Sequence, residues 1–543
     1  MFQHIQPVSV TIPSMPKSVF DDLYKGLNSE QKQAVDAIEG PVMVIAGPGT
    51  GKTSILTLRI ANILLKTDTS PDSILALTFT ESGVHSMRKK LVEIIGPAAY
   101  KVKISTFHGF CNDVIKEYPE RFPRIIGSTA ITEIDQIAIM EKIIGGDGEK
   151  GKVSDKDLKI ELLKPFGDPL FYVRPALSEI RKLKREAIFP EDFKKGIMAQ
   201  EKDFENEPEK IHAKGAHKGK MKGEFVKLAG QIEKNKELHK LYEAYEDALV
   251  EGKFYDFEDM IVEVVKTLKK DSDLLLILQE TYQYILADEH QDANNAQNAI
   301  IELLSNFHES PNLFIVGDEK QAIFRFQGAS LENFLYFKKL YPKAVLINLE
   351  KNYRSTQHIL DASHSLISNN STSVEHVRLK SHSEAPSNSL PKTEKEIGPI
   401  LIHEFVNGDS EHDFVAKDIK KKIGAGEKLG VRPEEIAVLY RNNDDAFGIG
   451  YALEKAGIPY RVESDADILK NEEIRKLLII FEAVNDLANE EILAKLFFID
   501  FFELDPLDVF KALDTARKEK KKVYEIAGKQ FPEISKKLSS WAS

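Results

Sequence analysis

The run VMVIAGPGTGKTSILTLRIANILL, residues 42 to 65, constrains this chain more than any other stretch. Val42 to Ala46 is short and apolar, as a strand covered on both faces would be. Gly47, Gly49 and Gly51 then turn the backbone directly into a helical pattern. Such a turn lets backbone amides face a common point with the positive end of the helix behind them, which is a cradle for phosphate. Thr50 lies inside the same loop, Lys52 would reach the β and γ phosphates of ATP, and the Thr53 hydroxyl would bind Mg²⁺. The first position of the pattern is Ala46 where the general form has glycine, so the match is to the relaxed form.

A loop of this kind needs a sheet to hold it. Further runs ILALT (74 to 78), YILAD (284 to 288), LFIVG (313 to 317) and VLINL (345 to 349) are equally short and apolar, with helical patterns between several of them. The natural assembly is an α/β fold with a doubly wound parallel sheet. From about 113 to 250 the rhythm breaks into a long, charged helical stretch. There Phe225, Leu228, Ile232, Leu238, Leu241, Tyr242, Tyr245 and Leu249 are spaced for one helix face, and we read it as a helical insertion. The first α/β domain then comprises 1 to 112 and 251 to 368. The polar segment from about 369 to 397 reads as a linker or long surface loop. ILIHEF (400 to 405), IAVLYR (436 to 441) and PYRV (459 to 462), with helices between them, predict a partial second α/β domain over 369 to 467. Residues 468 to 543 turn helical again and predict the start of a second insertion.

Bulk properties narrow the class. The 543 residues are enough for several domains, and 42% hydrophobic content supports several cores. The amino terminus lacks a basic segment followed by a continuous apolar run, and no apolar run approaches the ~20 residues needed to span a bilayer. The protein reads as soluble and cytoplasmic. One cysteine, Cys111, excludes an intrachain disulfide and any cysteine-cluster metal site. A net charge of −12 argues against coating nucleic acid by bulk attraction, although the segments from Lys210 to Lys240 and from 517 to 522 are locally basic.

DEHQD, residues 288 to 292, places three carboxylates directly behind the apolar run 284 to 287. Acids at a strand end bind a metal, polarise a water or simply solvate the terminus. Beside a phosphate loop the first two uses are favoured, because a second strand must bring one carboxylate to the metal and another to the attacking water. Asp288 is the candidate partner of Mg²⁺, and Glu289 the candidate water-orienting base.

These residues stand in a longer series. LNSEQKQAV (27 to 35), AGPGTGKT (46 to 53), LTFTESGVHSMR (77 to 88), STFHGF (105 to 110), DFEDM (256 to 260), DEHQDANNAQ (288 to 297), VGDEKQAIFRFQGA (316 to 329), LEKNYRST (349 to 356) and IAVLYRNN (436 to 443) follow one another in the chain. In order and spacing they resemble a UvrD/Rep-type superfamily 1A DNA helicase from about residue 27 to about 480. The resemblance implies P-loop, RecA-like sheet domains with helical insertions, and a 3′ to 5′ ATP-driven helicase or translocase that works on single-stranded DNA and single-strand/duplex junctions, with DNA repair as its setting. It implies that Gln31 reads adenine, Tyr353 stacks on the base, and Arg354 meets the γ-phosphate across a domain cleft. Gln321 would sense that phosphate and link it to DNA. Phe79, Thr80, Thr106, Phe107, His108, Phe324 and Phe326 would line the path of the strand, where stacking on aromatics accepts any base.

The chain departs from that pattern in places. Glu81 sits where the family usually has asparagine, Phe326 where it has tryptophan, Gln327 where it has arginine, and Ser54 where many relatives have arginine. Two later family motifs, one of which supplies another γ-phosphate arginine, find no match. If the 543 residues are the whole molecule, nucleotide binding with very weak hydrolysis and no unwinding is expected. The motor of a helicase-nuclease, or a non-catalytic module that binds nucleotide and DNA, are the alternatives.

Overall fold

A computed structural model describes residues 17–145, 158, 160–208, 210–212, 219–321, 337–369, 378–382, 400–424, 431–443, 445–462, 472–485, 489–519, 521–532 and 536. The chain divides into two compact units, Met1–Gly398 and Pro399–Ser543.

The first unit is organised by six strands: β1 (Val42–Ala46), β2 (Ile74–Thr78), β3 (Lys103–Thr106), β4 (Tyr284–Ala287), β5 (Leu313–Gly317) and β6 (Val345–Leu349). They form one sheet in the order β3-β2-β4-β5-β1-β6, and every pairing is parallel. Alternation of side chains supplies two cores. Val42, Val44, Ile74, Ala76, Phe314 and Val316 pack on one face with helices α1 (Lys17–Lys25), α2 (Ser29–Asp36), α3 (Lys52–Lys66) and α4 (Glu81–Ile95). Met43, Leu75, Leu77, Ile285 and Ile315 pack on the other. There they meet α5 (Phe107–Glu117), α10 (Asp259–Lys270), α11 (Ser272–Thr281) and α12 (Asn295–Ser305). Each large apolar side chain so buried contributes roughly 1.5–3 kcal/mol. The doubly covered sheet therefore explains why its strands read as apolar runs.

Between α5 and α10 lies the helical insertion, with α6 (Glu133–Gly145), α7 (Val173–Arg185), α8 (Pro190–Asn206) and the 29-residue α9 (Gly223–Glu251). Ile232, Leu238, Leu241, Tyr242, Tyr245 and Leu249 are buried along α9, while Phe225 and Leu228 at its start are half-buried. Most of these α9 residues join Met140, Ile144, Leu177 and Ile180 in a core separate from the two beside the sheet. Where α7 and α9 meet α10, Lys184 is 1% exposed and lies 2.7 Å from each of Glu246, Asp256 and Asp259. This ion cluster joins the insertion to the sheet-bearing part.

In the second unit, helices Gly408–Gly424 and Asp445–Lys455 pack through Ala416, Ile419, Leu453 and Ile458. Helices Glu472–Asn485, Glu490–Phe497, Pro506–Glu519 and Val523–Gln530 follow, with two small cores. The strands expected at 400 to 405, 436 to 441 and 459 to 462 are not formed among the described residues. A strand needs a neighbour for its amides and carbonyls and a cover for its side chains. Here Ile402 and Leu439 are 88% and 93% exposed, so apolar pattern alone did not make a ladder.

Candidate nucleotide and strand sites

Because the strands are all parallel, their carboxyl ends lie along one edge of the sheet, where open α/β folds bind ligands. The ends of β4, β5, β1 and β6 deliver Asp288-Glu289, Asp318, Gly47 to Thr53 and Asn352 to Arg354, respectively. Those of β2 and β3 deliver Phe79-Thr80 and Phe107-His108. One half of the edge thus carries the nucleotide candidates and the other half the strand candidates.

In the phosphate loop, Gly49 and Gly51 adopt φ of +72° and +93°, conformations open to glycine at no steric cost. A Cβ on Gly49 would stand 2.7 Å from the Arg354 Cβ and 2.8 Å from Asn352 Nδ2. The loop is gripped from two sides. Tyr353 N donates to Gly49 O at 2.8 Å, and the Asn352 amide donates to Pro48 O while its Oδ1 accepts from Arg354 N and Ser355 N. Gln31 Nε2 donates to Thr50 O at 2.8 Å, and Asn28 Nδ2 donates to the Tyr353 hydroxyl at 2.9 Å. Asn28 and Gln31 also form a capping box at the start of α2, which holds the glutamine in place. Arg354 follows the end of β6, in the same compact unit as the loop.

Lys52 Nζ lies 2.5 Å from Glu289 Oε2, and Gln291 Nε2 donates to that same oxygen at 2.8 Å. Gln291 Oε1 accepts from Asp318 N at 3.0 Å, and Asp318 Oδ2 accepts from Gln321 Nε2 at 2.9 Å. A continuous polar chain therefore runs from the loop lysine through Glu289 to Gln321. Glu289 holds φ +47°, an uncommon backbone for a residue with a Cβ.

Asp288 is buried, and burial, with Glu289 beside it, pushes its carboxyl up to about 6. An anion held unfavourably next to a second carboxylate is relieved by a cation. Burial likewise raises Asp292 to about 6 and lowers His290 to about 4.

On the other half of the edge, a pocket of about 640 Å³ is lined by Phe79, Glu81, Thr106, His108, Phe257 and Glu258, among others. His108 and Phe257 stack at 3.8 Å between ring centres, and Phe257 is 56% exposed. Thr80 and Thr106 cap α4 and α5 through their side chains. Phe107 is corrected by the structure: it is 4% exposed, because residues 107, 110, 111 and 114 form the α5 stripe that faces the sheet. Phe324 and Phe326 lie outside the described residues. Sequence reasoning gave no role to Asn28, Gln291, Asp318, Asn352 or Phe257. The capping pattern at Asn28 to Gln31, and an amide among the acids of DEHQD, were the available signals.

The glycine loop between strand and helix, its lysine, and the acidic pair at a second strand end define a P-loop, RecA-like fold. Residues 27–342 match the UvrD/REP helicase N-terminal domain, and residues 347–504 match the UvrD-like helicase C-terminal domain. The chain belongs to the UvrD/REP helicase family. It is 29% identical over 470 residues to a Staphylococcus epidermidis protein named ATP-dependent DNA helicase PcrA, covering 87% of this chain and 55% of that relative. The Bacillus subtilis protein of the same name is 29% identical over 468 residues, covering 86% and 54%. The Staphylococcus aureus one is 27% identical over 518 residues, covering 95% and 62%. The chain thus spans little more than half the length of these relatives.

Proposed function

We propose that the chain carries the nucleotide-hydrolysing and strand-gripping part of an ATP-dependent 3′ to 5′ DNA helicase or translocase that acts on single-stranded DNA and its junctions with duplex. The observation that carries this is the polar chain Lys52, Glu289, Gln291, Asp318, Gln321, set on the same sheet edge as an aromatic-lined pocket. Family membership and the printed names of the relatives support the helicase reading, and the polarity follows the family resemblance.

In this mechanism the entering phosphates draw Lys52 away from Glu289, since Lys52 can neutralise only one anionic partner fully. The freed Glu289 then orients the attacking water, with its amide neighbour Gln291 fixing the carboxylate. Asp288 and Thr53 would hold Mg²⁺, which supplies charge neutralisation on the phosphates when bound. Tyr353 and Gln31 would position the base, and Arg354, beside Gly49, would meet the terminal phosphate. Gln321, joined to Glu289 through Asp318 and Gln291, would sense the state of that carboxylate, and Phe79, Thr80, Thr106 and His108 would contact DNA.

The test is ATP binding by a fluorescent analogue together with steady-state ATPase activity, with and without a single-stranded oligonucleotide. The wild-type chain should bind nucleotide and show DNA-stimulated turnover, however slow. Glu289→Gln should keep binding and lose turnover by about 10²-fold or more, and Lys52→Ala should lose binding. Turnover indifferent to Glu289, or no nucleotide binding, would refute the reading.

A further inference from the structure

The strand pocket has a charge balance that phosphate contacts do not explain. The two basic side chains lining it are already paired. Lys184 is held by three carboxylates, and Arg185 meets Glu258 Oε1 through Nε at 2.8 Å and Nη2 at 2.7 Å. Burial, with Arg185 nearby, pushes the His108 imidazole down to about 4, so it is neutral at physiological pH. Its Nε2 is buried without a partner.

Glu81 is the exposed first residue of α4, and its Oε1 accepts from Thr106 Oγ1 at 2.9 Å. Thr106 Oγ1 in turn accepts from Gly109 N at 3.0 Å, so the hydroxyl is oriented by the α5 cap and fixes the carboxylate over the pocket. The wall facing an incoming strand thus combines the acceptor-only carboxylate of Glu81, a neutral imidazole and the rings of Phe79 and Phe257 with the side-chain amides of Asn112, Asn294 and Gln297. A phosphodiester there would meet like charge, whereas an unpaired base would meet both a stacking face and an acceptor.

We propose that Glu81 makes this pocket selective for bases that carry an exocyclic amino group, guanine above all, over thymine. The inference rests on the reading of the pocket as a strand site. Guanine presents N1–H and N2–H₂ side by side, a pair of donors that matches one carboxylate, and cytosine and adenine present an amino group on the same edge. The single imino donor of thymine is flanked by two carbonyl oxygens that a carboxylate repels. The pocket volume of about 640 Å³ is ample for a base and its sugar. Towards the base Thr106 acts as a positioning residue, because its hydroxyl donates to Glu81 and orients that carboxylate.

The experiment compares fluorescence-anisotropy affinities of the full chain for the 16-mers d(TG)₈, d(TI)₈ and dT₁₆. Inosine differs from guanosine only in lacking the N2 amino group. Wild type should bind d(TG)₈ about fivefold more tightly than d(TI)₈, the scale of one hydrogen bond to a charged group at a partly exposed site. In Glu81→Ala that ratio should fall to near one, while dT₁₆ binds more tightly because the like charge is gone. Thr106→Val should lower the ratio without reversing it. Equal affinities in wild type, or a ratio that survives Glu81→Ala, would overturn the selectivity yet leave the strand site standing. Failure of wild type to bind any of the three oligomers would overturn the strand reading and this inference with it.

Discussion

Replacing Lys184 by methionine tests how the helical insertion is held to the sheet. The ammonium is 1% exposed and sits 2.7 Å from Glu246 on α9, Asp256, and Asp259 on α10. The Tyr245 hydroxyl donates to Asp256 at 3.2 Å, and Arg124 lies 3.5 Å from Asp259. With both cations present, three carboxylates face two positive charges; without Lys184 they face one. Burial alone would push Asp259 up, and the Lys184 ammonium, together with the Asp256 amide and Arg124, more than reverses this, leaving Asp259 below the usual range. Burial keeps Glu246 above its usual range even with Lys184 beside it. Removing one partner of a buried ion cluster costs about 3–5 kcal/mol, because the remaining charges stay desolvated. At ~2 °C per kcal/mol the first thermal transition should fall by roughly 6–10 °C.

The pH dependence carries a sign. The stability that Asp259 contributes in wild type is present above its unfolded pKa and is lost as pH falls through its lower folded value. In the variant the uncompensated carboxylates take up protons on folding, so its deficit shrinks with acid. Denaturant titrations at pH 8 and pH 5 should show the gap between wild type and Lys184→Met narrowing. A loss below about 1 kcal/mol, or a gap that widens in acid, would refute the argument.

Two further outcomes follow from the nucleotide half of the edge. Asp288 has its folded pKa raised to about 6, so its ionised form opposes folding once pH exceeds that value, and the penalty is absent below the unfolded pKa. Asp288→Asn should therefore stabilise the nucleotide-free chain at pH 8 by about 2–3 kcal/mol, measured by chemical denaturation, while losing magnesium-dependent nucleotide binding; an equally stable variant at pH 8 would count against it. Gly49→Ala places a Cβ 2.7 Å from Arg354 Cβ at φ +72°, and should displace the Asn352 to Arg354 segment, weakening binding of a fluorescent ATP analogue by about tenfold or more and costing about 1–3 kcal/mol. Unchanged affinity would mean that this segment takes no part in the nucleotide site.

Much of the nucleotide site was legible because its geometry is local. Three glycines between an apolar strand and a helix dictate a loop of inward amides wherever they occur, whereas Gln31 was named only through the family resemblance. The acids of DEHQD were readable as functional only because that loop stood elsewhere in the chain. The strand candidates were harder, since Phe79 and Phe107 both follow a strand and both look alike in composition. Phe79 comes half-buried to the pocket while Phe107 turns under α5 into the core.

What the sequence by itself determined is the strands β1, β2, β4, β5 and β6 and which turn can hold phosphate, because periodicity and turn chemistry act over a few residues; β3, Lys103–Thr106, carries no apolar run and was not legible. Only the tertiary structure decided that Lys52 meets Glu289 across 237 positions and that Asn28 meets Tyr353 across 325. It also decided that ILIHEF stays uncovered while VMVIA is buried on both faces. The reason is that a pattern specifies a face but not its neighbour: parallel pairing in the order β3-β2-β4-β5-β1-β6 gathers residues hundreds of positions apart onto one edge, and an apolar run becomes a strand only where another backbone completes its hydrogen bonds.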